Sequence, residues 1–513
     1  MTSLVLSRFR TTNDPPFEQE ALEVRGIHDM TWRALHALEG QSPAVSAETR
    51  QRRDSESLHQ TIELCRSILS PLRRIPPEIL AHIFLLSLPS ISDTRNEPWD
   101  IYLERSPWVL THVSRRWRAV ALASPALWCR IIIRSTDISD DSEICSLPML
   151  AAQLARSGKS PLEIIFDYET FNDKSGGDVA QEALQTLARH SARWKILRIT
   201  ASQFMQLSSV RGWLPLLEHL SVWGRCEETD DDGSSPPPPE ISHFATAPRL
   251  RYVEVDDGFP AFDLPWAQLT RYEARGLWSD HISALMHLKN AELCSFIIAD
   301  EPDLEDTSGS HIVELPKLRQ LQVSTEQYHQ VIEKDGVWSK CLRVPGLKEL
   351  AIPDGLLQDL PSLQQVSRFS LTKLHIVSGC PVAEAFRPVL ECNPEISELL
   401  VSMGYRRLLG RDLIALLTPD GDPTPQRPGL LPKLETLVLR HPPRIHEDAI
   451  GNMIALRWSA TPLRSVHAVE IGPVLTDRLN RLEKEGLNVF VRSTKSRMLQ
   501  NNYGDYESPF QLD

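Results

Sequence analysis

Long apolar runs are missing from this sequence. Nowhere do 18 or more apolar residues follow one another, so a membrane-spanning helix is not expected. The longest candidate, Ile79–Leu88, is broken by polar groups and stops at Pro89. The opening stretch, MTSLVLSRFRTTNDPPF, has neither a long apolar core nor a small-residue cleavage site, and no secretion signal is expected from it. Base is in deficit: 55 Lys and Arg against 68 Asp and Glu leave a formal charge of −13, which argues against a surface built for nucleic-acid phosphates. Eight cysteines, at 65, 129, 145, 226, 294, 341, 380 and 392, include no CxxC pair. They read as reduced thiols in core positions, not as a disulfide framework or a zinc site. GxSxG, a glycine-rich phosphate loop, HExxH and EF-hand spacing are all absent, so no enzyme activity, metal or cofactor is expected. His446-Glu447-Asp448 comes nearest to a histidine–carboxylate cluster. It lacks a second histidine on the same helical face and reads as a helix-start charge group. These exclusions point to a soluble protein of the cytoplasm, the nucleus or both.

What remains is a chain of 513 residues, 41% of them apolar, long enough for several cores or one extended one. Apolar residues recur at helical spacing over about 18–38 and again over about 55–69, where Leu58, Ile62, Cys65 and Leu69 form one stripe that Pro71 ends. Residues 40–54 read as a polar connector, with QRRDSE a solvated start of the next helix as the alternative.

The stretch IPPEILAHIFLLSL that follows predicts a short helix. Pro76 and Pro77 suit its first turn, where amide hydrogens have no intrahelical acceptor, and Glu78 complements the exposed amides. Ile79, Ile83 and Leu86 share one stripe, and Leu80, Phe84 and Leu88 widen it, so the helix must meet a neighbour, in cis or in trans. Residues 89–106 read as a long surface loop. A second short helix is expected in PWVLTHVSRRWRAVAL, after a Ser106-Pro107 cap, with Val109, Val113, Trp117 and Val120 as its apolar stripe. Arg115, Arg116 and Arg118 lie off that stripe and read as a solvated face or a contact for an acidic partner.

The pairing of Ile75-Pro76-Pro77-Glu78-Ile79-Leu80 with Val113-Ser114-Arg115-Arg116-Trp117-Arg118, followed by Pro125, Leu127 and Trp128, resembles the F-box, the helical docking domain of substrate receptors in cullin-based ubiquitin ligases. The whole layout is similar to the F-box proteins common in mushroom-forming fungi. The resemblance implies that Ile75, Pro76, Pro77, Glu78, Ile79, Leu80, Ile83 and Phe84 meet a SKP1-like linker protein and through it a cullin. It also implies that Val113, Trp117, Val120 and Trp128 hold the domain core.

Beyond residue 150 a Pro-x-Leu-x-x-Leu-x-Val/Leu unit recurs: PLLEHLSV, PRLRYVEV, PKLRQLQV, PGLKELAI, PEISELLV and PKLETLVL, with less regular relatives. Its second apolar anchors are Leu197, Leu220, Val253, Tyr272, Phe296, Leu321, Leu350, Leu374, Leu399, Leu437 and Val466, at gaps of 19 to 38 residues. Most gaps fall in or near the leucine-rich-repeat range, in which each unit supplies a short strand and a returning segment. Neighbouring units must then stack, because none can bury its own apolar face. Two polar excursions, 227–240 (with four consecutive prolines) and 418–430, read as extended surface loops.

The expected architecture is α/β: an extension over 1–54, a lead helix over 55–70, an F-box-like domain over 71–131, a degenerate leucine-rich solenoid with a parallel sheet over 150–490, and a frayed tail over 491–513. The expected function is substrate recognition for an SCF-type ligase, acting on an unidentified protein target in the ubiquitin conjugation pathway, with no membrane or nucleic-acid partner. The alternative is a non-ligase repeat scaffold whose N-terminal helices only cap the solenoid, and it requires Ile79 and Ile83 to be buried internally.

Overall fold

The computed structural model describes residues 4–40, 48–88, 107–134, 147–167, 174–204, 206–207, 210, 214–224, 244–255, 263–299, 312–325, 337–377, 383–402, 410–419 and 430–492. The loop expected at 89–106, the insertion at 227–240, most of the 418–430 insertion and residues 493–513 of the tail lie outside them, whereas Val491 and Arg492, where a frayed tail was expected to begin, end a strand. The chain divides into two units, Met1–Arg198 and Ile199–Asp513, and the division falls inside a strand, Trp194–Thr200.

Unit 1 opens with helices α1 (Leu4–Phe9), α2 (Glu18–Glu39) and α3 (Glu48–Leu69). The second expected helix therefore starts earlier than the polar connector suggested, since Glu, Arg and Gln are good helix formers; Arg52, Arg53 and Asp54 within it are exposed. Leu6, Phe9, Val24, Cys65 and Ile68 close one small core between these helices. Next come α4 (Pro77–Leu86), α5 (Leu110–Val113), α6 (Arg115–Leu122), strand β1 (Arg130–Arg134), α7 (Leu147–Arg156), β2 (Leu162–Asp167), α8 (Lys174–Ala188) and β3 (Trp194–Thr200). β1 pairs with β2 in parallel, Ile131 opposite Ile164 and Ile133 opposite Phe166, and β3 is the next neighbour in the order.

In unit 2 the strands β4 (His219–Trp223), β5 (Tyr252–Val255), β6 (Arg271–Gly276), β7 (Leu293–Ile298), β9 (Gln320–Thr325), β11 (Glu349–Ile352), β12 (Lys373–Ile376), β13 (Glu398–Ser402), β14 (Thr436–Arg440), β15 (Ser465–Val469) and β16 (Asn488–Arg492) lie side by side, all parallel, in chain order. β8 (Val313–Glu314) and β10 (Leu342–Arg343) form a small parallel pair of their own. Helices α9 (Ala201–Phe204), α10 (Trp278–Leu285), α11 (Val337–Cys341), α12 (Leu360–Ser367), α13 (Ala383–Cys392), α14 (Gly410–Leu417), α15 (Glu447–Ala460) and α16 (Pro473–Lys484) occupy connections between strands. The fold is thus α/β with a large parallel sheet.

The recurring Pro-x-Leu has a definite conformation. In six units the residue before proline accepts a hydrogen bond from the amide three positions on: Leu217 to Leu214, Leu250 to Ala247, Leu318 to Leu315, Leu347 to Val344, Ile396 to Asn393 and Leu434 to Leu431, at 3.1–3.3 Å. Proline sits second in each of these β-turns, where its fixed φ is already correct, and the residue closing the turn is buried. Consecutive turns approach closely at Gly346, where a Cβ would lie 2.8 Å from the Pro316 carbonyl oxygen.

Each turn feeds a strand whose second anchor joins one continuous row: Leu220, Val253, Tyr272, Cys294, Leu321, Leu350, Leu374, Leu399, Leu437, Val466 and Val489. Here the structure corrects the sequence ruler. Phe296 pairs with Val323, one row along, and Cys294 holds the anchor position. The two residues are two apart, so they point to the same face and alternation alone does not choose between them. The cysteine expectation holds for Cys65, Cys129 and Cys294, which are buried, whereas Cys392 is exposed in the last turn of α13.

Buried polar residues serve as internal staples. Asn393 accepts from the Leu371 amide (3.2 Å) and donates to the Val389 carbonyl (2.9 Å). Glu447, the helix-start residue of α15, is buried and accepts from the Leu475 amide at 3.1 Å, in the first turn of α16. Arg457 is buried too, donating to the carbonyls of Leu417, just before the 418–430 insertion, and Leu430, its last residue. Burial pushes its pKa down to about 10. Among the described residues no helix is long and apolar enough to cross a membrane.

Candidate docking surface

The helices α4, α5 and α6 converge on one core. Leu80, Phe84, Trp108, Leu110, Val120, Ala121, Leu127 and Trp128 are buried together, with Ile75 and Trp117 packed against them half-buried. Phe84 lies against Trp117 at 4.7 Å between ring centres, and Trp108 meets Trp128 edge-on at 5.1 Å, a favourable aromatic geometry. The Trp128 indole nitrogen donates to the Ala121 carbonyl at 2.8 Å. The Arg156 guanidinium covers both Trp108 and Trp128, at 4.4 and 4.5 Å, and burial lowers its pKa.

The expected site residues divide between two faces. Pro76 caps α4, Pro77 occupies its first position, and Glu78 sits in its first turn; all three are exposed. Ile79 is 54% exposed, Ile83 43% and Leu86 73%, a solvent-facing apolar stripe on a ten-residue helix. Leu80 and Phe84, assigned to docking on the sequence, instead face the core. The stripe of a helix is about 100° wide, and these two lie on its inner side.

Val113 is the second correction: it is 53% exposed and forms no part of the core, whereas Val120 and Trp128 do. The reason is a break in the helix. Ser114 adopts extended backbone (φ −162°, ψ 165°), ending α5 after one turn, and its hydroxyl accepts from the Trp117 amide at 3.1 Å to cap α6. The phase resets there, so the spacing from Val109 and Val113 to Trp117 does not describe one helical face.

The arginine triplet is solvated in part: Arg115 and Arg118 are exposed, whereas Arg116 is half-buried. Arg116 donates to the carbonyls of Arg73 (2.6 Å), Ile75 and Leu72 (3.4 Å), and Arg118 donates through Nε to the Thr111 carbonyl at 2.7 Å; Arg115 is exposed. Arg116 thereby ties α6 to the segment that launches α4. Arg73 extends the tie to the N-terminal helices, donating to the Thr12 carbonyl (3.0 Å) and the Ser67 hydroxyl (3.2 Å). Periodicity cannot reveal such links, because their acceptors are main-chain carbonyls.

Unit 2 carries a second polar array, on strand positions alternating with the anchor row. Gln320 donates to Glu349 (2.8 Å), Lys373 lies between Glu349 (3.6 Å) and Glu398 (3.7 Å), and His375 meets Glu398 at 3.0 Å. The His375 contact is the main cause that holds the Glu398 carboxyl below its ordinary range. Toward β4, His219 stacks on Tyr252 at 3.9 Å, and Arg271 lies 4.4 Å over the same ring while bonding Glu273 at 2.7 Å. Burial, with Glu254 and Glu273 alongside, raises the Tyr252 phenol far above its usual range.

Compared with models of known protein families the sequence matches none, and no curated protein matches it.

Proposed function

We propose that this chain is the substrate-recognition subunit of a cullin-based ubiquitin ligase, with α4–α6 as an F-box and the strand-rich part as a degenerate leucine-rich repeat region. The observation that carries the reading is the apolar stripe Ile79–Ile83–Leu86, left in solvent while Leu80 and Phe84 of the same helix fill the core. Exposed isoleucine and leucine on so short a helix suit a protein partner, and apolar patches of this kind mark interaction sites. The capping-scaffold alternative requires Ile79 and Ile83 to be buried, and their exposure favours docking. Catalysis would come from the assembled ligase through proximity. On this reading the half-buried row Gln320, Glu349, Lys373 and Glu398 belongs to the surface that reads the target protein, since its side chains alternate with the buried anchors.

The test is capture of the SKP1-like linker by the full chain and by Pro77→Ala and Ile83→Asp, each checked for folding by circular dichroism. Wild-type capture lost in Ile83→Asp supports the reading. No capture by the wild type, or equal capture by both folded variants, overturns it.

A further inference from the structure

Among the described residues the sheet of unit 2 ends at β16, whose one strand neighbour there is β15. The Asn488 amide donates to the Arg464 carbonyl (3.0 Å) and the Arg492 carbonyl accepts from the Glu470 amide (3.1 Å), so residues 488, 490 and 492 turn their main-chain groups toward β15. By the two-residue alternation of a strand, the N–H and C=O groups of Val489 and Val491 point away from it. The strand itself, NVFVR, contains no proline and is exposed at every residue but the half-buried Val489: Phe490 is 59% exposed, its ring leaning on His467 at 4.7 Å. Edge strands of this composition are normally blocked by proline, lysine, a bulge or a covering segment. At β1, in unit 1, the Gln153 side chain bonds the Arg130 carbonyl (2.7 Å) in that way.

We propose that β16 is a self-association edge, pairing antiparallel with β16 of a second copy of this chain about a two-fold axis through Phe490. The strand is complementary to itself in that register and not merely apolar. Val489 of one copy stands opposite Val491 of the other, and both present outward main-chain groups, so each such pair exchanges two N–H···O bonds. Phe490 meets its own symmetry mate in the closer, non-hydrogen-bonded position, where aromatic cross-strand pairs stabilise. Asn488 falls opposite Arg492. The two arginines stand about 13 Å apart along the strand direction, beyond the ~8 Å screening length at physiological salt, so like charges do not meet. A two-fold contact of one strand with itself is isologous and uses up this edge in both chains, so it closes after two chains. This inference goes beyond the ligase reading and does not depend on it.

Sedimentation of the full chain from roughly 1 to 200 µM, a range that brackets weak association, should show mass rising from 58.0 kDa toward twice that value. Val491→Pro removes an outward N–H that β15 does not use, so it should fold normally yet remain monomeric. Phe490→Cys should yield a covalent dimer on mild oxidation, because facing residues at that position lie within disulfide reach. Ser459→Cys, an exposed site off the strand, and the unaltered chain should not. A wild type monomeric throughout, a Val491→Pro variant that dimerises as the wild type does, or a Phe490→Cys variant that cross-links no more than Ser459→Cys each overturns the proposal. The first of these outcomes would also arise if an extended segment of another protein were the true occupant.

Discussion

Two substitutions three residues apart on α4 should have opposite consequences. Leu80 is 2% exposed and packs with Phe84, Trp108 and Trp128, so Leu80→Ala removes buried methyl groups and leaves a cavity; such changes cost about 2–5 kcal/mol, and about 3 is expected here. Ile83 keeps 43% of its surface in water, so truncation removes only part of the ~1.5–3 kcal/mol that full burial of an isoleucine contributes. Alanine also gains a few tenths in helix propensity, leaving a loss of about 1 kcal/mol or less. Hydrogen exchange measured by mass spectrometry on peptides from Pro77–Leu86 reads this locally, through amides such as that of Leu80, bonded to the Pro76 carbonyl at 3.0 Å. At 1.4 kcal/mol per decade, exchange should quicken on the order of 100-fold in Leu80→Ala and no more than about 5-fold in Ile83→Ala. Affinity for the linker should reverse the order, falling more than about tenfold in Ile83→Ala and following only the opened fraction in Leu80→Ala. Equal exchange in the two variants, or linker affinity that simply tracks exchange, would refute the division of α4 into a core face and a docking face.

Three further outcomes follow from the structure. Ser114→Ala removes the cap of α6 and should cost about 1 kcal/mol, read as faster exchange across Arg115–Leu122 with little change in α4. Because the Glu398 carboxyl is held below its ordinary value of 4.5 by His375, its stabilisation is complete above that value and disappears as pH falls through the lower, folded-state pKa. The thermal midpoint of the wild type should therefore drop more steeply between about pH 5 and 3 than that of Glu398→Gln, and parallel curves would dismiss the pair as a stabilising contact. Gly472→Ala drives a methyl group into the buried Glu447 carboxylate that accepts from Leu475. It should destabilise by about 1–3 kcal/mol in urea titration, whereas Gly355→Ala, whose methyl group meets open space, should change little.

Much of the fold was legible because it is periodic. The helical stripe through Ile62 and Cys65, the proline-led turns and the parallel strands all announce themselves by spacing and by residues with fixed backbone preferences. Spacing reveals a face but not a row, which is why Phe296 stood in for Cys294. Strands outside the regular Pro-x-Leu-x-x-Leu unit, such as RIIIR at β1 and LEIIFD at β2, were not counted among the repeat anchors although they pair in parallel as the others do. Of the candidate docking surface, the apolar residues of α4 were legible and their division between core and solvent was not. The broad stripe of α4 contains both its inner and outer faces, and a serine that could continue a helix ends one instead. Arg116 was invisible as a structural residue because its partners are carbonyl groups, which carry no side-chain signature.

That arginine has a consequence for how the chain tolerates change in length. Its guanidinium fastens position 116 to main-chain atoms 41 to 44 positions earlier, and Phe84 against Trp117 adds a second fastening. With both ends of the intervening span held by contacts outside it, doubling the span would add only about 0.6 kcal/mol of closure entropy. Lengthening the chain between positions 89 and 106 should therefore leave the face bearing Ile79 and Ile83 in place, because the contacts that set it lie on either side of that span.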